Sequence, residues 1–472
     1  MSEPIWRWSA TRVAAAIRSR EISAREALDD CLARMAAVNG KINAVTVDLS
    51  DQAREAAERA DRAVAEGSPL GPLHGVPVTI KENADQQGCA TTNGVVAYRD
   101  VIAPTDCPAV ANLKKAGAII VGRTNTPAFS FRIDTVNDLR GRTYNPWSRT
   151  HTPGGSSGGA ASSVAAGITA LAHGSDIAGS IRFPAFACGI AGIRPSFGRV
   201  ASYNPTQAVE RSLSSQLMSV QGPLARCVAD LRLGLSAMAA RDARDPWWIG
   251  AALEGPIPSK PVRVTVVTAA DDLAGIAPHP DVAAALTQAA RWLADAGYDV
   301  VAERTPGFTR AQQLWFEMQL PEFREYLLPA IEKDGDDGIR TATRLMLDNV
   351  PATGALPYMK ALAERARLVR DWTALLDRVP LVLAPVSAAP VYAQGFDVEN
   401  AARTRTVWRE CSTLMAVPVL GLPAAVVPTG TAGGLPLGVQ LIGPRFREDL
   451  CLAAAEAIEA RAGALTPLDP RW

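Results

Sequence analysis

The sequence predicts one large α/β domain: a central mixed β-sheet covered by helices on both faces. Three observations carry this expectation. Apolar, β-branched runs alternate with stretches of helical periodicity along the chain. The 472 residues are 48% hydrophobic, ample for a large buried core. No internal repeat and no low-complexity linker divides them.

The elements follow in order. Ser23 and Glu26 form a capping box, and Ala27, Leu28, Cys31, Leu32 and Met35 recur at helical spacing until Asn39-Gly40. A second, Ala-rich helix covers 51–66, and the apolar strand Val76 to Ile80 ends at Lys81. Helix 107–117, strand 118–122 and the turn Thr124-Asn125-Thr126-Pro127 come next. Residues 141–159 are loop-like, rich in Gly, Pro and Ser, and a small-residue helix spans 160–166. A short apolar segment, 168–172, leads into a second glycine-containing loop, Ser175 to Arg182. Strand Val262 to Val267, helix 282–296 and strand 299–302 repeat the alternation.

Residues 305–378 are helical, with Leu314, Trp315, Met318, Phe323 and Tyr326. They read either as ordinary core packing or as an insertion over one side of the core that shapes a pocket. Strands at 381–385 and 423–428 and a helix at 448–462 close the chain. The domain thus divides into N-terminal helices (1–70), a core with the two glycine-rich loops (71–260), an αβ unit with the helical insertion (261–380), and closing strands and helix (381–472).

Charge and composition exclude several function classes. Forty-eight basic and 48 acidic residues give no net charge, which argues against a nucleic-acid partner held by a basic field. The N-terminal residues lack an apolar signal core. The seven cysteines are scattered, odd in number and without metal-ligand spacing, so a reducing cytoplasm is the expected setting. The four histidines suggest no zinc site, and neither metal nor cofactor is expected. Residues 158–181 are apolar enough to suggest a membrane span. Their interrupting Ser162, Ser163, His173, Asp176 and Ser180 fit a tightly packed buried helix instead.

The chemistry concentrates between 154 and 189. Two glycine-rich loops flank the small-residue helix, one carrying Ser156 and the other Ser180. Glycine allows unusual backbone conformations and close approach of a substrate. Backbone N–H groups of Ile177, Ala178, Gly179 and Ser180 can converge on one developing oxyanion. A serine nucleophile needs a base, and no histidine stands at an evident spacing. Lys81, at the end of an apolar strand, has two readings. It is a strand-end lysine reaching solvent, or a buried lysine whose lowered pKa makes it a base. Gly155-Ser156-Ser157-Gly158-Gly159 also matches a nucleophile elbow, but it follows loop and not strand, and the candidate partner His279 sits between prolines. A phosphate loop is excluded, since no Lys-Ser/Thr pair follows the glycines.

These residues resemble the amidase signature family over nearly the whole chain. The resemblance rests first on Gly154-Gly155-Ser156-Ser157-Gly158-Gly159, then on Gly174-Ser175-Asp176-Ile177-Ala178-Gly179-Ser180-Ile181-Arg182 and the strand Gly75 to Asn83. Gly122 to Pro127, Asn145-Pro146-Trp147, Gly222 to Arg226 and Gly434 to Gly443 follow in the family's order. The resemblance implies that Ser180 attacks the amide carbonyl, that Ser156, after a cis peptide bond, relays the proton, and that Lys81 is the base. It implies that Asp176 and Arg182 brace the nucleophile loop, that Ser157 helps hold it, and that the Ser130 carbonyl faces the leaving group. Three departures stand out. Ala178 replaces a frequent glycine, Ile193-Arg194-Pro195-Ser196 replaces a Leu-Lys-Pro-Thr run outside the chemistry, and Pro418 stands where an Asn is often found.

The expected function is therefore a stand-alone hydrolase of small amides, apolar or aryl, whose acyl-enzyme chemistry extends to carbamates and esters. A glutamine-hydrolysing subunit of a tRNA-dependent amidotransferase is the alternative within the family, though no charged pair for a free amino acid is evident. A non-catalytic binding protein is the alternative of another class. A homodimer is the prior expectation for assembly, with no membrane association.

Overall fold

Alternation along the strands decides which side chains face which helices. The computed structural model describes residues 3–256, 261–268 and 272–472, so the segment boundary read at 260 lies outside the described residues. In chain order the strands are β1 (Val45–Asp48), β2 (Pro77–Lys81), β3 (Ile119–Thr124), β4 (Val136–Asn137), β5 (Gly141–Arg142), β6 (Leu171–Asp176) and β7 (Ala191–Arg194). They continue with β8 (Val220–Ala225), β9 (Arg263–Val266), β10 (Asp299–Val301), β11 (Leu381–Pro385), β12 (Ala424–Ala432) and β13 (Leu435–Ile442). Eleven form one sheet, in the order β1-β3-β2-β6-β8-β7-β12-β13-β11-β9-β10, while β4 and β5 pair apart.

The sheet is mixed. β3, β2 and β6 run parallel, as do β11, β9 and β10, and the intervening strands pair antiparallel. Helices cover both faces, as expected of this fold class. Leu381 and Leu383 of β11 pack on one core with helices Pro280–Asp295 and Glu448–Ala462. Val382 and Ala384 pack on the other side with Trp315 and Trp372 of helices Thr309–Tyr326 and Ala355–Arg378. The period of two along a strand requires this division.

The same rule orients β2. Val78 and Ile80 enter the first core, so Thr79 and Lys81 face the other side, where the small-residue helix Gly158–Ala165 lies. All eight residues of that helix are buried, and their lack of bulk lets its backbone sit close to the sheet. The apolar stretch 158–181 is thus a buried helix, a central strand and a loop. No helix among the described residues is long and apolar enough to cross a membrane.

The structure differs from the sequence expectations at several elements. The Ser23 capping box forms, but Asn39-Gly40 does not stop its helix, which continues to buried Ile42 and ends at Asn43 in the left-handed region. Burial of Ile42 outweighs the modest cost of a helical glycine. Strand β8 has no sequence signature because Gly222 and Pro223, both strand-disfavouring residues, lie inside it. Strands β1 and β7 are too short to show a pattern. The segment 305–378 is four helices, Thr309–Tyr326, Leu328–Asp334, Asp337–Asn349 and Ala355–Arg378.

Candidate active site

Parallel pairing of β2 with β6 brings their carboxyl ends together, the end of an α/β sheet where ligands bind. Lys81 closes β2, and Ser175 and Asp176 close β6. Lys81 is fully buried. Its Nζ donates to Ser156 Oγ at 2.8 Å and to Ser175 Oγ at 3.0 Å. Burial pushes its ammonium down to about 7, against the opposing pull of the Asp176 charge. The solvent-reaching reading of Lys81 is therefore excluded. Asn83 donates to the same Ser175 hydroxyl at 3.1 Å.

Ser156 follows a cis Gly155–Ser156 peptide bond. Gly155 is required by close approach: a Cβ there would lie 2.6 Å from the Arg132 carbonyl oxygen. Ser157 exchanges long contacts of 3.4 Å with the Ser175 backbone and holds the Ser156 loop against β6.

Ser180 stands at the start of helix Arg182–Cys188, on a loop shaped by Asp176. Asp176 Oδ1 accepts the Gly179 N–H at 2.9 Å and Oδ2 the Ile181 N–H at 3.3 Å. Arg182 grips both carboxylate oxygens at 3.0 and 3.1 Å and donates onward to Gln440 and the Leu414 carbonyl. Gly179 has φ +103, and a side chain there would strike Leu414 at 2.8 Å, so glycine is required at this bend. Of the four N–H groups expected to face a developing oxyanion, that of Gly179 therefore already has an acceptor within the protein.

Arg194 corrects a second expectation. Its run stands outside the chemistry in the sequence reading, yet its Nη1 donates to the Asp176 carbonyl oxygen at 2.7 Å and lies 3.5 Å from Oδ1. Burial would raise the Asp176 pKa, but Arg182 and Arg194 hold it at about 2. Nothing in sequence spacing signals that a β7 arginine reaches the end of β6. The histidines play no such part. His173 is buried, bonded to Gln221 and pushed down to about 3 by burial, and His279 is an exposed helix cap.

Two cavities meet at Ser180. The first, about 230 Å3, is the more polar of the two and includes Ser156, Ser175, Asn83, Asn204, Gln221 and Arg211 in its wall beside Phe129, Phe131 and Leu327. The second, about 120 Å3, is aromatic, lined by Phe131, Phe183, Trp315, Phe316, Trp408 and Met346. Ser130, Phe131, Ile177 and Ser180 belong to both walls. Phe129 and Ser130 take positive φ values of 57 and 51, and the Ser130 hydroxyl is fixed by Thr126 and Asn93 at 2.7 and 2.6 Å. Ala178 lines the aromatic cavity and not the polar one. Pro418 is a buried residue within helix Ser412–Leu420.

The helical insertion serves both readings given to it. Leu314 and Met318 pack in the core, while Trp315 and Phe316 on the same helix wall the aromatic cavity. Arg132 and Asp397, 265 positions apart, form a buried bidentate pair in that wall, with both bonds 2.9 Å long.

The Amidase family matches residues 26–452. The chain is 47% identical over 463 residues to an indoleacetamide hydrolase of Bradyrhizobium diazoefficiens, covering 98% of this chain and 88% of that protein. It is 31% identical over 485 residues to a glutamyl-tRNA(Gln) amidotransferase subunit of Synechococcus, covering 95% and 96% of the two chains. Among solved structures, an inhibitor-bound protein of a vestigial complex linked to the origins of an s-triazine catabolic enzyme superposes with TM-score 0.83 at 28% identity. That match covers 97% of this chain and 99% of the other. A bacterial aryl acylamidase superposes with TM-score 0.81 at 25% identity over 98% and 97%. The chain therefore belongs to the amidase signature family and is a hydrolase of amide C–N bonds.

Proposed function

We propose that the protein hydrolyses aryl-acyl amides of the arylacetamide type, with Ser180 as nucleophile, Ser156 as relay and Lys81 as base. The observation that carries this reading is the aromatic cavity that shares Ser180 with the polar cavity containing Ser156. Neutral Lys81 accepts a proton from Ser156 as Ser156 takes one from Ser180. The Ser180 oxygen bonds to the amide carbon, and the N–H groups of Ile177, Ala178 and Ser180 receive the negative charge that develops on the carbonyl oxygen. Collapse breaks the C–N bond as Ser156 returns a proton to the leaving nitrogen. Water then attacks the acyl-ester by the same path, releasing the acid.

The return of the proton fixes the orientation. The leaving amine belongs beside Ser156, which lines only the polar cavity, so the acyl group belongs in the aromatic one. An indolylacetyl group, named by the B. diazoefficiens relative, suits a wall of Trp315, Phe316, Trp408 and Phe131. Glutamine suits it poorly. Arg132 and Asp397 neutralise each other and leave no charge for a free amino acid.

The test is ammonia release by the purified chain from indole-3-acetamide, phenylacetamide, acetamide and glutamine. The aryl substrates are expected to exceed the other two in kcat/KM by about tenfold or more, the discrimination a buried apolar group supplies. Equal rates for acetamide, or preference for glutamine, would overturn the assignment.

A further inference from the structure

The leaving-amine side of the site is built for more than ammonia. About 10–15 Å3 of accessible space suffices for a water-sized molecule, whereas the cavity beside Ser156 has about 230 Å3. Its wall also holds two polar groups whose bonding is incomplete. Asn83 Oδ1 is buried and accepts no hydrogen bond among the described residues, although its amide nitrogen is used on Ser175. The half-buried Arg211 guanidinium makes one long contact, 3.5 Å to the Ser202 carbonyl, and no ion pair among the described residues.

The nearby charges do not complete Arg211. Asp245 acts on it through space, but its two oxygens accept the Ser202 and Trp247 N–H groups at 2.7 and 2.8 Å. Glu210 also acts on it through space, and that residue is exposed. An underused guanidinium in a polar cavity beside the reacting centre is a carboxylate-binding group in want of its carboxylate.

We infer that the protein also cleaves secondary amides whose amine carries a carboxylate, that is, N-(arylacetyl) amino acids, with Arg211 binding the carboxylate in the polar cavity. The inference rests on the assignment of the aromatic cavity to the acyl group. The chemistry balances as simple hydrolysis. The Ser180 oxygen bonds to the acyl carbon, the C–N bond breaks, and the amino acid nitrogen leaves with the proton returned by Ser156. One water then converts the ester to the arylacetic acid and restores the Ser180 hydroxyl. Arg211 acts as a specificity-determining residue, since it touches the substrate far from the bond that breaks.

The experiment compares phenylacetamide, N-phenylacetyl-β-alanine and N-phenylacetyl-propylamine, a neutral amine of similar length, in the wild type, Arg211→Met and Arg211→Lys. The wild type should cleave the β-alanine conjugate at least tenfold better, in kcat/KM, than the propylamine amide. Arg211→Met should bring the β-alanine and propylamine amides within twofold of each other in kcat/KM, and Arg211→Lys should retain part of the preference. Wild type that cleaves no conjugate, or conjugate preference unchanged in Arg211→Met, overturns the inference. Loss of phenylacetamide cleavage in the wild type would instead overturn the acyl-cavity assignment, and the conjugate comparison still decides Arg211.

Discussion

The Trp315 indole N–H donates a 3.0 Å hydrogen bond to the Ile177 carbonyl oxygen, tying the helical insertion to the loop that ends at Ser180. One side chain thereby walls the aromatic cavity and fixes the peptide preceding the Ala178 N–H. Trp315→Phe keeps an aromatic ring and removes the donor. A neutral hydrogen bond contributes about 0.5–1.5 kcal/mol, so kcat/KM for an arylacetamide should fall about two- to thirteenfold. Thermal melting and steady-state kinetics on the same variant separate loop positioning from loss of fold, since Tm should change little.

The pH dependence follows from Lys81. With its pKa lowered to about 7 by burial, the base is neutral above that value and charged below it. The kcat/KM profile for a neutral amide should rise to a plateau with a midpoint near 7. A midpoint near the ordinary lysine value of 10.5 would contradict a buried base. The stability sign is the same. Between about 7 and 10.5 the unfolded chain holds a proton the folded chain lacks, so this group's contribution to stability rises with pH across that window.

Asp176 should matter to both fold and rate. It is buried between Arg182 and Arg194, and Asp176→Asn leaves two buried cations without a counter-charge. Breaking a buried pair in this way costs about 3–5 kcal/mol. Denaturant unfolding should report that loss, and activity should fall with the loop geometry. Because its folded pKa is depressed to about 2, the stabilisation from Asp176 is present above the ordinary value of 3.8 and lost as pH falls through 2.

Thr343 makes the opposite prediction. Its hydroxyl is buried in the wall of the aromatic cavity, without a partner among the described residues. An unsatisfied buried polar group costs about 1–3 kcal/mol. Thr343→Val removes the hydroxyl at nearly constant shape, so Tm should hold or rise. A clear drop in Tm would show that the hydroxyl has a partner in solution.

Legibility in the sequence differs by element. The dense glycine-rich loops point to Ser180 by themselves, because they lie within one stretch of chain, whereas the roles of Ser156, Asp176 and Arg182 are what the family resemblance implies. Lys81 is ambiguous as a lone residue. Its burial depends on the neighbours β3 and β6, which no local pattern reveals. Arg194 carries no signal because its contact with Asp176 arises only when β7 joins the sheet beside β8. The two cavities are hidden for the same reason. Phe131, Trp315 and Trp408 are neighbours only in the folded chain. Trp315 reads as part of a helix, but nothing in its period distinguishes a core face from a pocket wall.

The most direct test of the account is kcat/KM for indole-3-acetamide in Ser180→Ala beside the wild type and Ser156→Ala. Loss of a nucleophile acting within a catalytic unit costs about 10^4-fold or more. The account predicts a fall of that size for Ser180→Ala in a folded protein, with no acyl-enzyme detectable by mass spectrometry. Turnover by Ser180→Ala at the wild-type rate, or an acyl adduct on another residue, would contradict it.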